Sequence, residues 1–169
     1  LSILINELVS MKIVEMYFNE FGEAQKPMAA SPQSLSVCKE IIEHTGSTSI
    51  LDCGSGLSTA FFHSNYNQVI SVDDAPYWAR RTELFVSKNL NKQVKIEPIT
   101  SITDKTFDFV FYDYGGIEAR IFFFKKALAL SEKYVFVDDM HISYYREYVQ
   151  AKTKAFKVLF LPETIDEYG

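Results

Sequence analysis

The stretch that decides the fold is Ile50-Leu51-Asp52-Cys53-Gly54-Ser55-Gly56-Leu57-Ser58-Thr59. It begins with a short apolar run and continues with two glycines separated by one residue. The glycines let the backbone turn tightly and approach a ligand closely. A helix that starts directly after them offers free N–H groups to an anion. The stretch therefore predicts a strand, a glycine turn and a helix N-terminus, which together form a ligand-binding unit in α/β sheets.

Short β-rich runs alternate with helical stretches along the chain on the C-terminal side of residue 46. Strands are predicted at Ser49–Cys53, Gln68–Asp73, Val94–Ile99, Phe107–Tyr112, Tyr134–Asp138 and Phe156–Leu161. Helices are predicted at residues 1–21, 32–44, 57–64, 76–90, 117–131 and 142–154. Nearly continuous apolar strands between helices are typical of a parallel sheet that is covered on both faces. We therefore predict an α/β, Rossmann-like, doubly wound, mostly parallel sheet with extra N-terminal helices.

Composition narrows the class of protein further. The 169 residues fit one domain, with a helical cover at 1–46, an α/β core at 47–161 and a tail at 162–169. Lys and Arg number 17 against 22 Asp and Glu, a net charge of −5, which argues against a nucleic-acid partner. The two cysteines exclude a disulfide-rich scaffold. Without a long apolar run or a basic leader, we expect a cytoplasmic protein with no membrane partner.

Acidic residues lie at the ends of four of the predicted strands. They are Asp52, Asp73 with Asp74, Asp113, and Asp138 with Asp139. The carboxyl ends of parallel strands meet at one edge of the sheet, where ligands bind. Like charges repel, so a purely structural sheet has no reason to gather carboxylates there. The acids therefore indicate a binding or catalytic site.

The first part of this edge suits a nucleoside. Asp73 ends the strand that is expected beside Asp52, where a carboxylate can accept the hydroxyl protons of a ribose. Thr59 stands where a dinucleotide fingerprint would have its third glycine. This departure disfavours a pyrophosphate, and with it a nicotinamide oxidoreductase. An adenosine that carries an amino acid fits the glycines and the two acids better.

Three segments carry a family resemblance. Residues Ile50–Thr59 resemble motif I of the class I S-adenosylmethionine-dependent methyltransferases, residues Val69–Trp78 their second motif, and residues Phe107–Asp113 their motif IV. The resemblance implies S-adenosylmethionine as the cofactor. It implies the following cofactor-binding residues: Asp52, Cys53, Gly54, Ser55, Gly56, Ser58, Asp73, Asp74 and Asp113. Trp78 either lines the adenine side or is a core residue.

The end of the chain departs from this family. The family's sheet closes with an antiparallel strand, for which residues 162–169 leave no room. We expect either a truncated chain or a sheet edge that another subunit completes. A homodimer through the N-terminal helix or through this open edge is therefore the expected assembly.

The acids Asp113, Asp138 and Asp139 resemble the metal ligands of the catechol-type O-methyltransferases. The resemblance implies Mg²⁺ or another divalent cation that binds a substrate hydroxyl. Two other interpretations stay open: Asp113 contacts substrate or cofactor without a metal, and Asp139 caps the following helix. Glu118 and Arg120 are predicted to lie on a solvated helix face.

The catalytic base is a separate question. The family's catalytic Lys is absent, because Gly116 holds its position. His141, with a suitable intrinsic pKa, becomes the candidate base, beside Asp113 and Asp138 as further catalytic residues. The alternative is a loop histidine with only local hydrogen bonds. The predicted function is methyl transfer to a hydroxyl of a small molecule, and the alternative is a non-catalytic cofactor-binding or assembly module with the same fold.

Overall fold

A computed structural model of the chain describes the backbone of residues 2–161 and the side chains from Lys12 to Leu161. Its four strands are Ile50–Cys53 (β1), Val69–Val72 (β2), Phe107–Tyr112 (β3) and Ser131–Val137 (β4). They form one parallel sheet in the order β2-β1-β3-β4. The chain adds β2 on one side of β1 and then crosses to add β3 and β4 on the other side. The strand order therefore reverses between β1 and β3, where open α/β sheets bind ligands.

Six α-helices cover the two faces of this sheet. They are Ser2–Phe21 (α1), Pro32–Thr45 (α2), Leu57–Asn65 (α3), Pro76–Leu90 (α4), Ile117–Leu130 (α5) and Ser143–Lys152 (α6). Ile50, Phe109 and Phe111 face a core built with α1 to α4. Their neighbours along the strands, such as Leu51 and Val110, face a second core built with α5 and α6. This burial on both sides confirms the predicted fold class. None of the helices in the described range combines the length and the apolarity that crossing a membrane requires.

The N-terminal helices form as the sequence predicts. The Ser31 hydroxyl caps α2 by accepting hydrogen bonds from the backbone N–H groups of Gln33 (3.1 Å) and Ser34 (3.2 Å). Pro32 holds the first helical position, and Gly46 ends the helix in the left-handed conformation at φ +64°. The segment between α1 and α2, where no helix is predicted, contains a 3₁₀ helix at Glu23–Met28. This segment covers the edge of the sheet where the strands end.

The predicted strand at Val94–Ile99 is wrong. The segment runs beside β2 but makes one isolated parallel bridge, between Glu97 and Val72. The backbone N–H of Ile96 donates instead to the Glu83 carboxylate of α4, at 2.9 Å. Pro98 has no N–H to continue a ladder. A contact with a helix side chain and a proline therefore divert the chain from regular pairing.

The predicted strand at Phe156–Leu161 is also wrong. The segment has no regular secondary structure, and within the described residues β4 pairs with β3 alone. Phe156, Val158, Leu159 and Phe160 are each at least half exposed. An extended segment without a paired neighbour gains too little to form a strand. The predicted tail at 162–169 lies outside the described residues.

Candidate active site

A cleft of about 540 Å³ opens at the carboxyl ends of the strands. It lies where the order of the strands reverses, between β1 and β3. Seven predicted site residues line it, namely Gly54, Ser55, Asp73, Asp74, Asp113, Asp138 and Asp139. The 3₁₀ segment contributes Gln25, Pro27 and Met28 as a cover, which sequence reasoning missed. The structure therefore brings the acids at the ends of β2, β3 and β4 together around the cleft, whereas Asp52 at the end of β1 does not line it.

The turn after β1 needs its two glycines because other segments of the chain pack closely against it. Gly54 has φ +109°, and a Cβ atom at this position would lie 2.2 Å from the backbone oxygen of Asp113. Gly56 precedes α3 with φ +150°, and a Cβ atom there would lie 3.1 Å from the Tyr17 hydroxyl. Only glycine fits this combination of backbone angle and close approach. The turn is therefore held between β3 and α1.

Beneath the turn, Asp52 is fully buried. Its Oδ2 atom accepts a hydrogen bond from the Thr59 hydroxyl (2.6 Å), whereas its Oδ1 atom has no partner among the described residues. Burial raises the pKa of Asp52 to about 7, although the Thr59 hydroxyl acts in the opposite direction. Thr59, which stands where a dinucleotide fingerprint would have its third glycine, thus donates a hydrogen bond to Asp52. The unpartnered oxygen leaves one acceptor in need of a donor.

Three further predicted cofactor residues, Cys53, Gly56 and Ser58, lie behind the cleft rather than on its wall. The Cys53 side chain is fully buried in the second core, and burial raises the pKa of its thiol. The Ser58 hydroxyl donates to the backbone oxygen of Gly54 at 3.0 Å. These residues shape the turn from behind, and Gly54 and Ser55 form the side of the turn that lines the cleft.

Asp73 is tied to the glycine turn. Its Oδ2 atom accepts hydrogen bonds from the backbone N–H of Ser55 (2.6 Å) and from the Ser55 hydroxyl (2.5 Å). Its Oδ1 atom accepts one hydrogen bond, from the Ala75 N–H at 2.8 Å. Asp74 lies against Gly115, and burial raises the pKa of Asp74. The end of β2 is thus fixed relative to the turns that follow β1 and β3.

Trp78 supports the same turn from α4. Its indole N–H donates to the backbone oxygen of Ser55 at 2.7 Å, and its ring lines the cleft. The Phe21 ring of α1 packs against it, with ring centroids 5.2 Å apart. Of the two interpretations left open for Trp78, the structure supports a residue on the wall of the cleft. The N-terminal helix buttresses this wall.

At the other end of the cleft, Arg120 separates two of the predicted metal ligands. Its Nη2 group pairs with Asp113 and its Nη1 group pairs with Asp139. Its Nε–H donates to the backbone oxygen of Gly115 at 3.0 Å. Arg120 is only 8% exposed, so the prediction of a solvated face is wrong for this residue. Burial raises the pKa of Asp113, and the Arg120 guanidinium opposes that rise.

The residues present do not fit the predicted divalent cation at Asp113, Asp138 and Asp139. The described residues contain no group of three or more His, Cys, Asp or Glu side chains arranged to hold a metal ion. The oxygens of Asp113 and Asp139 that would face a cation face the guanidinium of Arg120 instead. A divalent ion would need those oxygens and would be repelled by the guanidinium.

Asp138 and His141 differ in their access to the cleft. Asp138 lines the cleft, accepts the backbone N–H of Asp139 at 2.9 Å, and has a pKa that burial raises. The His141 side chain is 39% exposed, and its Nδ1 atom lies 3.8 Å from the Asp139 carboxylate. It lines a neighbouring groove of about 330 Å³ beside β4. Asp138 therefore lies in the cleft, whereas His141, the predicted base, lies outside it beside Asp139.

The sheet order, the glycine turn and the acid at the end of β2 define a Rossmann-like α/β fold of the kind found in S-adenosylmethionine-dependent methyltransferases. The O-methyltransferase from Bacillus cereus, solved in complex with SAH, is similar with a TM-score of 0.62 and 16% identity, over 88% of this chain and 79% of that one. The O-methyltransferase TomG from Streptomyces achromogenes, involved in tomaymycin synthesis and solved with SAM, has a TM-score of 0.62 and 15% identity, over 88% and 78%.

A third structure, cofactor-bound Rv0187 from MTB, has a TM-score of 0.55 and 15% identity, over 72% of this chain and 67% of that one. No protein-family model and no curated protein matches the sequence. At this identity the comparison shows a shared fold. The predicted resemblance to these methyltransferases is confirmed at that level.

Proposed function

We propose that the chain is an S-adenosylmethionine-dependent methyltransferase that methylates a hydroxyl group of a small molecule. The observation that carries the proposal is one continuous cleft, with the glycine turn and Asp73 at one end and Asp113 and Asp138 at the other. Bound in the first half, S-adenosylmethionine supplies a methyl group on a sulfonium to an oxygen nucleophile held close by. The fold shared with known O-methyltransferases supports the proposal.

The first half of the cleft fits the cofactor. Ser55 fixes the Asp73 carboxylate with two hydrogen bonds to one oxygen, and the other oxygen accepts one N–H and has room for a second donor. We assign one ribose hydroxyl to that oxygen. Asp52 is fully buried beneath the turn, and we assign to it the support of the turn through its hydrogen bond from Thr59.

The second half holds the acceptor. Asp138 lines the cleft without an ion pair in the described residues, and burial raises its pKa. A carboxylate with a raised pKa is a better proton acceptor for general base catalysis. We assign to Asp138 the proton of the acceptor hydroxyl. Asp113, which is paired with Arg120, orients the acceptor. A base role for His141 remains a prediction.

Calorimetric titration with S-adenosylmethionine and with S-adenosylhomocysteine tests the proposal. We expect binding that Asp73→Asn weakens at least about tenfold, because a hydrogen bond to a charged group is lost. Asp104→Asn is the matched control, since Asp104 is exposed and lies outside the residues that line the cleft. Absence of binding to a wild-type protein with a cooperative thermal transition would overturn the proposal.

A second candidate function is a cofactor-binding module without turnover. Two observations favour it: Gly116 offers no side chain for proton transfer, and His141 lies outside the residues that line the cleft. A radiolabelled methyl group separates the two functions. Transfer to any member of a panel of phenols, sugars and polyketide alcohols supports the enzyme, and tight cofactor binding without transfer supports the module.

A further inference from the structure

The acid cluster of the cleft already contains a cation of its own. Arg120 is the fourth residue of α5, and its guanidinium lies between the carboxylates of Asp113, which follows β3, and Asp139, which follows β4. Three of its nitrogens have named acceptors: Nη2 at Asp113, Nη1 at Asp139 and Nε at the oxygen of Gly115. The side chain is buried among these partners, with 8% of the residue exposed. Its geometry is therefore set by the site and not by solvent.

The charge balance explains why a cation is needed. Asp113, Asp138 and Asp139 lie together at the end of the cleft, where burial raises the pKa of Asp113 and of Asp138 and the neighbouring carboxylates act in the same direction. Arginine provides a charge that does not titrate near neutral pH and a planar fork of donors that fits two carboxylates at once. A divalent cation in the same place would need the oxygens that Arg120 already uses.

We propose that Arg120 is a positioning residue that replaces a divalent cation on the acceptor side of the cleft. It holds Asp113 and Asp139 in fixed orientations through its two Nη groups. Asp138 is left unpaired by it and faces the cleft. The acceptor is then bound through hydrogen bonds to carboxylates, so it needs no pair of adjacent oxygens to chelate a metal. Only this last consequence rests on the proposed function.

If Arg120 takes the place of a cation, its removal should create a metal site, whereas removal of an arginine that serves only folding should not. Removal of the guanidinium leaves the carboxylates of Asp113 and Asp139 facing the space it occupied, and two carboxylates completed by water are hard oxygen ligands that bind Mn²⁺ and Mg²⁺. The Arg120→Ala variant is therefore expected to gain a metal site. Loss of one nearby positive charge should tighten Mn²⁺ binding at least about tenfold relative to the wild type. Arg120→Lys, which keeps the positive charge, should show no such gain.

Titration with MnCl₂, followed by the electron paramagnetic resonance signal of free Mn²⁺, measures this directly. Wild type should leave the signal of free Mn²⁺ unchanged, Arg120→Ala should bind one equivalent, and Arg120→Ala with Asp113→Asn should lose that binding. Guanidinium ion should compete with Mn²⁺ in Arg120→Ala. If Arg120→Ala fails to fold, Arg120→Gln removes the same charge and retains more of the side chain.

Two results would overturn the proposal. One is a stoichiometric Mn²⁺ site in the wild type that Asp113→Asn abolishes. The other is a folded Arg120→Ala or Arg120→Gln variant with no gain in Mn²⁺ affinity. Neither measurement needs cofactor or turnover, so a failure of the proposed function is recognised separately by calorimetry with S-adenosylmethionine. Where turnover is detected, Mn²⁺ or guanidinium should restore part of the activity that Arg120→Ala loses.

Discussion

The backbone oxygen of Asp113 occupies the space that any side chain at Gly54 would need. A Cβ atom at Gly54 would lie 2.2 Å from that oxygen, and the glycine has φ +109°. The contact joins the turn after β1 to the turn after β3, which are the two halves of the cleft. The glycine turn is therefore part of the packing between strands as well as a place for a ligand.

Gly54→Ala should destabilise the protein and abolish cofactor binding. The left-handed backbone costs an alanine about 1–2 kcal/mol, and displacing the Asp113 backbone adds a cost of similar size. Gly46→Ala is the matched control, because Gly46 has φ +64° and no atom within 4 Å of its Cβ position. Urea unfolding of both variants separates backbone strain from the clash. Equal losses in the two variants would contradict the close approach.

Trp78→Phe should remove a hydrogen bond that supports the glycine turn and leave an aromatic ring in the wall of the cleft. The variant keeps an aromatic ring and loses the donor to the Ser55 oxygen, which costs about 0.5–1.5 kcal/mol of unfolding free energy. Cofactor affinity should fall about threefold to tenfold for the same reason. Tyr77→Phe, on the exposed neighbour, is the control. An unchanged affinity in Trp78→Phe would remove the indole from the support of the site.

Trp78 is also the single tryptophan of the chain, so it reports on the cleft without labelling. We expect its emission to change on addition of S-adenosylhomocysteine, because the ring lines the cleft. The same titration on Asp73→Asn should require a higher ligand concentration. A spectrum that stays unchanged while calorimetry records binding would place the ligand away from this wall.

Much of the fold could be predicted because its signals are local. Ser31 and Pro32 mark the start of α2, Gly46 marks its end, and apolar strands mark a sheet with two covered faces. The failures depend on contacts between distant residues. The hydrogen bond from Ile96 to Glu83 diverts a β-rich segment, and no pattern in residues 94–99 contains that information.

The role of Arg120 was missed although the sequence contains a signal for it. The buried positions of α5 are Arg120, Phe124, Ala127 and Leu130, which follow the spacing of one helix face. Arg120 thus occupies a core position of the helix that follows Asp113. A buried cation needs an anion, and the acids at the adjacent strand ends are the nearest candidates. The sequence analysis predicts Asp113 and Asp139 as site residues but does not predict that Arg120 pairs with both of them.

Stability should depend on pH through Asp52. Its pKa is about 7 in the folded state, against an ordinary value of 3.8, because it is buried. Between these values the folded state keeps a proton that the unfolded state has lost, so a rise in pH favours unfolding. The proton on Asp52 stabilises the folded state fully below the pKa that Asp52 has in the unfolded state. This stabilisation is lost at a rate of at most about 1.4 kcal/mol per pH unit as the pH rises.

Asp52→Asn removes this titration. The free energy of unfolding should therefore fall less steeply in the variant than in the wild type between about pH 4 and pH 7. The amide oxygen can still accept the hydrogen bond from Thr59, so the variant retains one contact of the carboxylate. Urea unfolding at several pH values in that range measures the difference between the two proteins. Parallel curves for wild type and variant would show that Asp52 does not hold the proton.

Asp138 and His141 should differ sharply in their effect on turnover. Asp138 lines the cleft and has a pKa that burial raises, whereas His141 lines the groove beside β4. We expect Asp138→Asn to lower turnover by about a hundredfold or more, the usual contribution of a general base, with cofactor affinity nearly unchanged. His141→Ala should lower turnover less than about tenfold, since its ring lies outside the residues that line the cleft. Single-turnover assays with radiolabelled cofactor measure both effects, and the reverse order of losses would assign the base to His141.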